Sequence, residues 1–145
     1  MTSTDKNNRH STLAERCNNP LNIRFSTANN WIGQSGELRG FCVFKNEAYG
    51  FRAAFKIVQS YLRQGYDTIE KIVTRWAPPT ENQTERYVSF VEDDVMIDRH
   101  RTLHMKSIHG YWEIIMILRA MAKMECGKWY DEQQINLFIN YPQNF

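Results

Sequence analysis

The chain has 145 residues, of which 42% are hydrophobic and 23% charged, with a formal net charge of +2 at pH 7. That length suits one domain, since domains most often run to about 100–150 residues, and the composition excludes collagen, coiled coil, polyelectrolyte and wholesale disorder. The charge is too small to define a nucleic-acid protein, for which a domain pI above about 9 is expected.

In chain order, residues 1–12 read as a polar, flexible leader ahead of a single domain over 13–145. The opening MTSTDKNNRHSTLAER has no apolar stretch of about 7–15 residues, so no secretory signal peptide is expected and the chain reads as made in the cytoplasm. From Asn18 to Asn46 the signals are turns and short strands. A small β-hairpin closing through Gln34-Ser35-Gly36 is expected between the apolar patches Trp31-Ile32 and Phe41–Phe44.

The remainder reads as helical. Phe51, Phe55, Val58 and Leu62 form one apolar stripe that Gly65 ends. Asp67 heads a capping-box pattern with Glu70, followed by Ile69, Ile72, Val73 and Trp76 on one face. Pro78-Pro79 stops that helix, and Thr80 is expected to cap the next, whose Tyr87, Phe90 and Val91 share a face. The stretch 93–109 reads as charged and irregular. Tyr111 to Met124 is apolar almost all round, as a central helix would be. Gly127 ends it, and Asp131 caps a last amphipathic helix with Ile135, Phe138 and Ile139.

The longest apolar run, around Ile114 to Leu118, is far short of the ~20 residues a membrane span needs. Cys17, Cys42 and Cys126 are odd in number and lack a CxxC pair, so they read as small buried hydrophobes. The fold class expected is α+β, mostly α, with a small β-hairpin near the N-terminus.

Phosphate loops, nucleophile elbows and zinc motifs are absent from the sequence, so no metal or cofactor is expected. His100 and His104 stand four apart but lack a third ligand. Arg99, His100, Arg101, His104 and Lys106 form the best nucleic-acid candidate, yet Glu92-Asp93-Asp94 cancel much of their field, and no nucleic-acid partner is expected.

Carboxylates offer better chemistry. A glycosidase needs a carboxylic acid kept protonated near neutral pH, and burial at a cleft mouth supplies that. Glu125 ends the most apolar helix, where the negative end of the helix dipole also favours the protonated form. Glu15 lies just ahead of Cys17-Asn18-Asn19-Pro20. Glu81 follows Pro78-Pro79-Thr80 and reads equally as a first-turn acid. They rank in that order.

The succession Asn18-Asn-Pro-Leu-Asn-Ile-Arg24, Trp31-Ile-Gly, Gly50-Phe-Arg-Ala53 and Trp76-Ala-Pro-Pro-Thr-Glu-Asn82, with Thr84 and Tyr87, resembles a phage-type NNPxNIR family of small cell-wall-associated proteins. A wider resemblance is to lytic transglycosylases of the lysozyme superfamily. Met124-Glu125-Cys-Gly127 resembles the family's Glu-Asn-Gly with Cys126 in place of Asn. Glu15 with Asn19-Pro20 resembles the superfamily's catalytic turn with Arg16 in place of Ser. Tyr87 resembles the tyrosine kept beside the catalytic glutamate.

The resemblance implies a lysozyme-like fold and a peptidoglycan-active hydrolase or lytic transglycosylase, virion-associated or released by lysis, with peptidoglycan or another amino-sugar glycan as partner. One of Glu125, Glu15 and Glu81 would be the acid. Asn18, Asn22 and Asn82 would bind acetamido groups, Trp31, Trp76 or Tyr87 would stack on sugars, and Asn19 and Arg24 complete the implied substrate-binding set. The alternatives are a non-catalytic structural or glycan-binding protein on the same fold, and a nucleic-acid module using Arg99 to Lys106.

Overall fold

Local side-chain chemistry sets most helix ends in the computed structural model, which describes residues 11–141. Thr12 starts α1 (Leu13–Arg16) through a capping box, accepting from the Glu15 N–H while the Glu15 carboxylate accepts from the Thr12 N–H. Of the expected leader, residues 1–10 lie outside the described residues, whereas Thr12 belongs to the fold. Asn46 caps α2 (Glu47–Arg63) by accepting from the Ala48 and Tyr49 N–H groups. Asp131 caps α6 (Glu132–Asn140), and Gly127 ends α5 (Ile108–Cys126) with its φ at 80°.

Two caps differ from the sequence expectation. Thr68, not Asp67, caps α3 (Ile69–Trp76), its hydroxyl accepting from the Lys71 N–H. Asp67 instead pairs with Lys71 and its carbonyl receives the Leu103 N–H. Thr80 is not the cap of α4 (Thr84–Val95). That helix starts one turn later, after Gln83, which makes no side-chain capping bond. The Thr84 hydroxyl donates to the Ala77 carbonyl, which binds the end of α3 to the start of α4 across the Pro78-Pro79 break.

The hairpin pairs β1 (Gln34–Leu38) with β2 (Phe41–Phe44) in antiparallel register, Glu37 opposite Cys42 and Leu38 opposite Phe41. Its turn is Arg39-Gly40, with φ of 53° and 86°, a pair of left-handed residues that matches strand twist. The expected closure at Gln34-Ser35-Gly36 is therefore corrected. Those residues form β1 itself, with an irregularity between Gln34 and Gly36. In β2, Cys42 and Phe44 point inward and are 1% exposed.

The core is built around α5, where Ile114, Ile115, Ile117, Leu118, Ala120, Met121 and Ala122 are fully buried. A helix apolar on most sides must be surrounded. It packs against α4, α6 and α1, while α2 packs on α6. Phe51 of α2 sits edge-on to Tyr130 and stacked with Phe138. The result is the expected mostly helical α+β architecture with one small hairpin. Cys17, Cys42 and Cys126 are buried free thiols. No helix among the described residues is long and apolar enough to cross a membrane.

Candidate active site

The Asn-Asn-Pro turn is the first structural element of the site. Asn19 is fully buried. Its amide nitrogen donates to the carbonyls of Ile23 and Cys42 at 2.9 and 3.0 Å, and its carbonyl oxygen accepts from the Ile23 N–H at 2.9 Å. One side chain thus closes the 19–23 loop and fastens it to β2. Asn18 has a left-handed φ of 53° and donates to the Phe44 carbonyl at 3.0 Å. Both asparagines give their amide nitrogens to backbone carbonyls, and neither lines the cleft that holds Glu125.

The turn also lies directly on α2. A Cβ at Gly50 would stand 2.6 Å from the Asn18 carbonyl oxygen and 2.9 Å from Pro20 Cδ, so this crossing requires glycine. The Trp76 indole N–H donates to the Leu21 carbonyl at 3.0 Å. Sequence segments far apart therefore converge on Leu21 and Asn22.

Asn22 also has a φ of 53°. Its amide nitrogen donates to Glu125 twice, to Oε1 at 2.9 Å and to the backbone carbonyl at 3.0 Å. Asn22 lines the cleft that holds Glu125, with its amide nitrogen committed to that residue. From α4, the buried Tyr87 hydroxyl donates to Glu125 Oε2 at 3.0 Å. Tyr87 belongs to the support of the carboxyl group rather than to a sugar-stacking surface.

Glu125 lines a cleft of about 910 Å³ between the hairpin side and the helical body. Trp31 and Phe41 face Lys56, Ile57, Ser60 and Tyr61 of α2, while Arg75, Trp76, Pro78, Glu81 and Asn82 continue the wall. Burial lifts the Glu125 carboxyl above its ordinary value, and the hydrogen bonds from Asn22 and Tyr87 and the charge of Arg24 oppose this without cancelling it. Among the described residues no cation lies within ion-pair distance of Glu125. Burial, followed by the neighbouring charge of Glu125, raises Tyr87 well above the usual phenol value, so it remains a proton donor to the carboxylate.

The other two candidate acids are set differently. Glu81 reaches the cleft but pairs with Arg24 at 3.5 Å, with the side chains 60% and 66% exposed, so the pair is solvated and contributes little. Glu15 lies outside this cleft, in the capping box of α1 and beside a smaller cavity of about 160 Å³. Arg24, Trp31 and Asn82 do line the large cleft. Arg24 also lies over the Phe41 ring at 5.1 Å, and Asn82 donates to the Pro78 carbonyl at 3.1 Å.

The two arginines of the basic stretch proposed for nucleic acid are paired with carboxylates from outside it. Arg99 is 18% exposed and contacts Glu85, Glu92 and Glu70, and Arg101 pairs with Glu113. His100 and His104 lie in the loop between α4 and α5, not on a shared helix face.

Sequence reasoning missed the cationic wall of Lys56, Arg63 and Arg75, and the cleft residue Asn29. The spacing of Lys56, Ser60 and Arg63 places them on one helix face, but that pattern also describes an ordinary solvated surface.

The fold and site define a mostly helical α+β protein with a cleft floored by one desolvated carboxylic acid. No family model matches the chain. It is 36% identical over 126 residues to Protein P5 of Pseudoalteromonas phage PM2, covering 81% of this chain and 74% of the phage protein. The chain belongs to the family of that phage protein.

Proposed function

We propose that this phage-related protein cleaves the glycosidic bond between amino sugars of peptidoglycan, with Glu125 as general acid and then base, on a lysozyme-like fold. The observation that carries this reading is the Glu125 carboxyl: desolvated, lacking a cationic partner among the described residues, and lining a groove of about 910 Å³. Burial favours the protonated form of a carboxyl so placed, which suits it to give a proton to the leaving oxygen. Asn22 and Tyr87 fix its two oxygens, so little reorganisation is needed.

Cleavage passes through an oxocarbenium-like state. Among the described residues the one other carboxylate lining the cleft is Glu81, in a solvated pair with Arg24. A route in which the sugar's own 6-hydroxyl attacks the anomeric carbon, giving a 1,6-anhydro end, needs no second carboxylate. Glu125 then takes the hydroxyl proton and completes the cycle. Trp31 and Trp76 supply apolar faces for the sugar rings. The resemblance to cell-wall-associated phage proteins and the kinship with a phage protein support a virion-associated role.

The test is turbidity loss of purified sacculi, with mass spectrometry of the released muropeptides. Wild type is expected to yield 1,6-anhydro ends. Glu125→Gln should lower the rate by about 10²–10⁴, the usual contribution of general acid–base catalysis, and Glu15→Gln should not. Wild type that binds sacculi without solubilising them would overturn the enzyme reading in favour of a glycan-binding structural protein.

A further inference from the structure

The cleft carries more positive charge than a neutral sugar chain requires. Its lining residues include four cations, Arg24, Lys56, Arg63 and Arg75, against two carboxylates, Glu81 and Glu125. Arg24 takes Glu81. Lys56, Arg63 and Arg75 have no carboxylate within ion-pair distance among the described residues. Other arginines of this protein are engaged by carboxylates: Arg99 with three glutamates, Arg101 with Glu113, Arg119 with Asp94 and Glu132. Three cations without a carboxylate partner therefore line this one cleft.

Their positions are ordered. Lys56, Ser60 and Arg63 follow one another at four- and three-residue steps along α2, so they share a face. The Arg75 guanidinium is held over the rings of Tyr61 and Tyr66 at 5.4 and 4.6 Å, with Nη1 donating to the Tyr66 hydroxyl at 3.4 Å. A guanidinium stacked in this way keeps further N–H donors for a planar anion.

We propose that Lys56, Arg63 and Arg75 form an anion subsite that binds the carboxylates of the stem peptides borne by the glycan strand. This rests on the proposed glycan-cleaving reading and extends it to the substrate class: peptide-bearing rather than bare strands. In the intact strand the amino-sugar backbone offers only neutral groups: hydroxyls, acetamido groups and the lactyl ethers that carry the peptides. The peptide carboxylates are the anions that branch from it at regular intervals. A sugar chain lying over Trp31 and Trp76 would project its peptides towards the α2 wall.

The test is calorimetric binding to the Glu125→Gln protein, which does not depend on turnover. The probes are tetrasaccharides of alternating amino sugars with tripeptide stems, and the same compounds with every stem carboxyl converted to its amide. The free-carboxylate form is expected to bind about tenfold more tightly, as three partly screened ion pairs would give. That ratio should shrink with added salt.

Adding Lys56→Gln and Arg63→Gln should bring the ratio close to one. Lys71→Gln, outside the cleft and paired with Asp67, should leave it intact. Equal affinity for the two probes, or a preference that survives the double substitution, overturns the subsite. Tighter competition by single-stranded DNA or a polyphosphate than by the tripeptide itself overturns the assignment to carboxylates. A binding preference of wild type with no 1,6-anhydro product would instead overturn the enzyme reading and leave the subsite standing.

Discussion

Replacing Asn22 tests the connection between the Asn-Asn-Pro turn and the carboxyl group. Asn22→Ala removes two hydrogen bonds, one to the Glu125 side chain and one to its backbone carbonyl, together costing about 1–3 kcal/mol. It also leaves alanine at a φ of 53°, a left-handed conformation that asparagine tolerates and that costs alanine roughly 1 kcal/mol relative to glycine. Asn22→Gly removes the same bonds without the backbone strain. Thermal unfolding should therefore show Ala the worse of the two by about 1 kcal/mol, or a few degrees in Tm at about 2–4 °C per kcal/mol.

Both variants should also raise the carboxyl of Glu125 further, since the Asn22 amide favours its ionised form. Carbon-13 titration of labelled glutamate reads this directly, and the alkaline limb of the pH–activity profile should move upward with it. Two results would refute the reasoning: Asn22→Gly as stable as wild type within about 0.5 kcal/mol, or a Glu125 titration that stays put or moves down.

Glu125→Gln should change the pH dependence of stability. A carboxyl raised by burial contributes stability below the ordinary carboxylate range and loses it as pH climbs through its folded-state value. Glutamine is neutral throughout, so the Tm of the variant minus that of wild type should become more positive from about pH 4 to pH 7, as scanning calorimetry at fixed ionic strength would show. Gly50→Ala should destabilise by about 1–3 kcal/mol in urea unfolding, because its Cβ would meet backbone at Asn18. Gly36→Ala, with open space around it, should stay within about 0.5 kcal/mol.

The helices were legible because their signals are local. The apolar stripe of α2, the all-round apolarity of α5, the Gly127 stop and the Asp131 cap each need only a few neighbouring residues to act. Where two adjacent residues could serve, as Asp67 and Thr68 could, sequence did not separate them, because the tertiary contacts of the Asp67 carbonyl and carboxylate decided it. The hairpin turn was misplaced for a related reason. Gln-Ser-Gly reads as a turn in isolation, while Arg39-Gly40 supplies the two positive φ values.

The site was legible only in part. Glu125 could be singled out from the end of an apolar helix followed by glycine, a one-dimensional feature. The commitments of Asn18 and Asn19 to backbone and of Asn22 to Glu125 span up to 103 residues of sequence. Asparagine offers the same amide to a sugar or to a carbonyl, so composition cannot choose between them.

The sequence by itself determined a mostly helical body, its central helix and an acid at that helix's end, since periodicity and capping are properties of short segments. Only the tertiary structure decided which carboxylate loses its water, which is held by arginine, and which cations are left facing a cleft. Desolvation and ion pairing depend on what folds over a residue, and that is set by segments far along the chain.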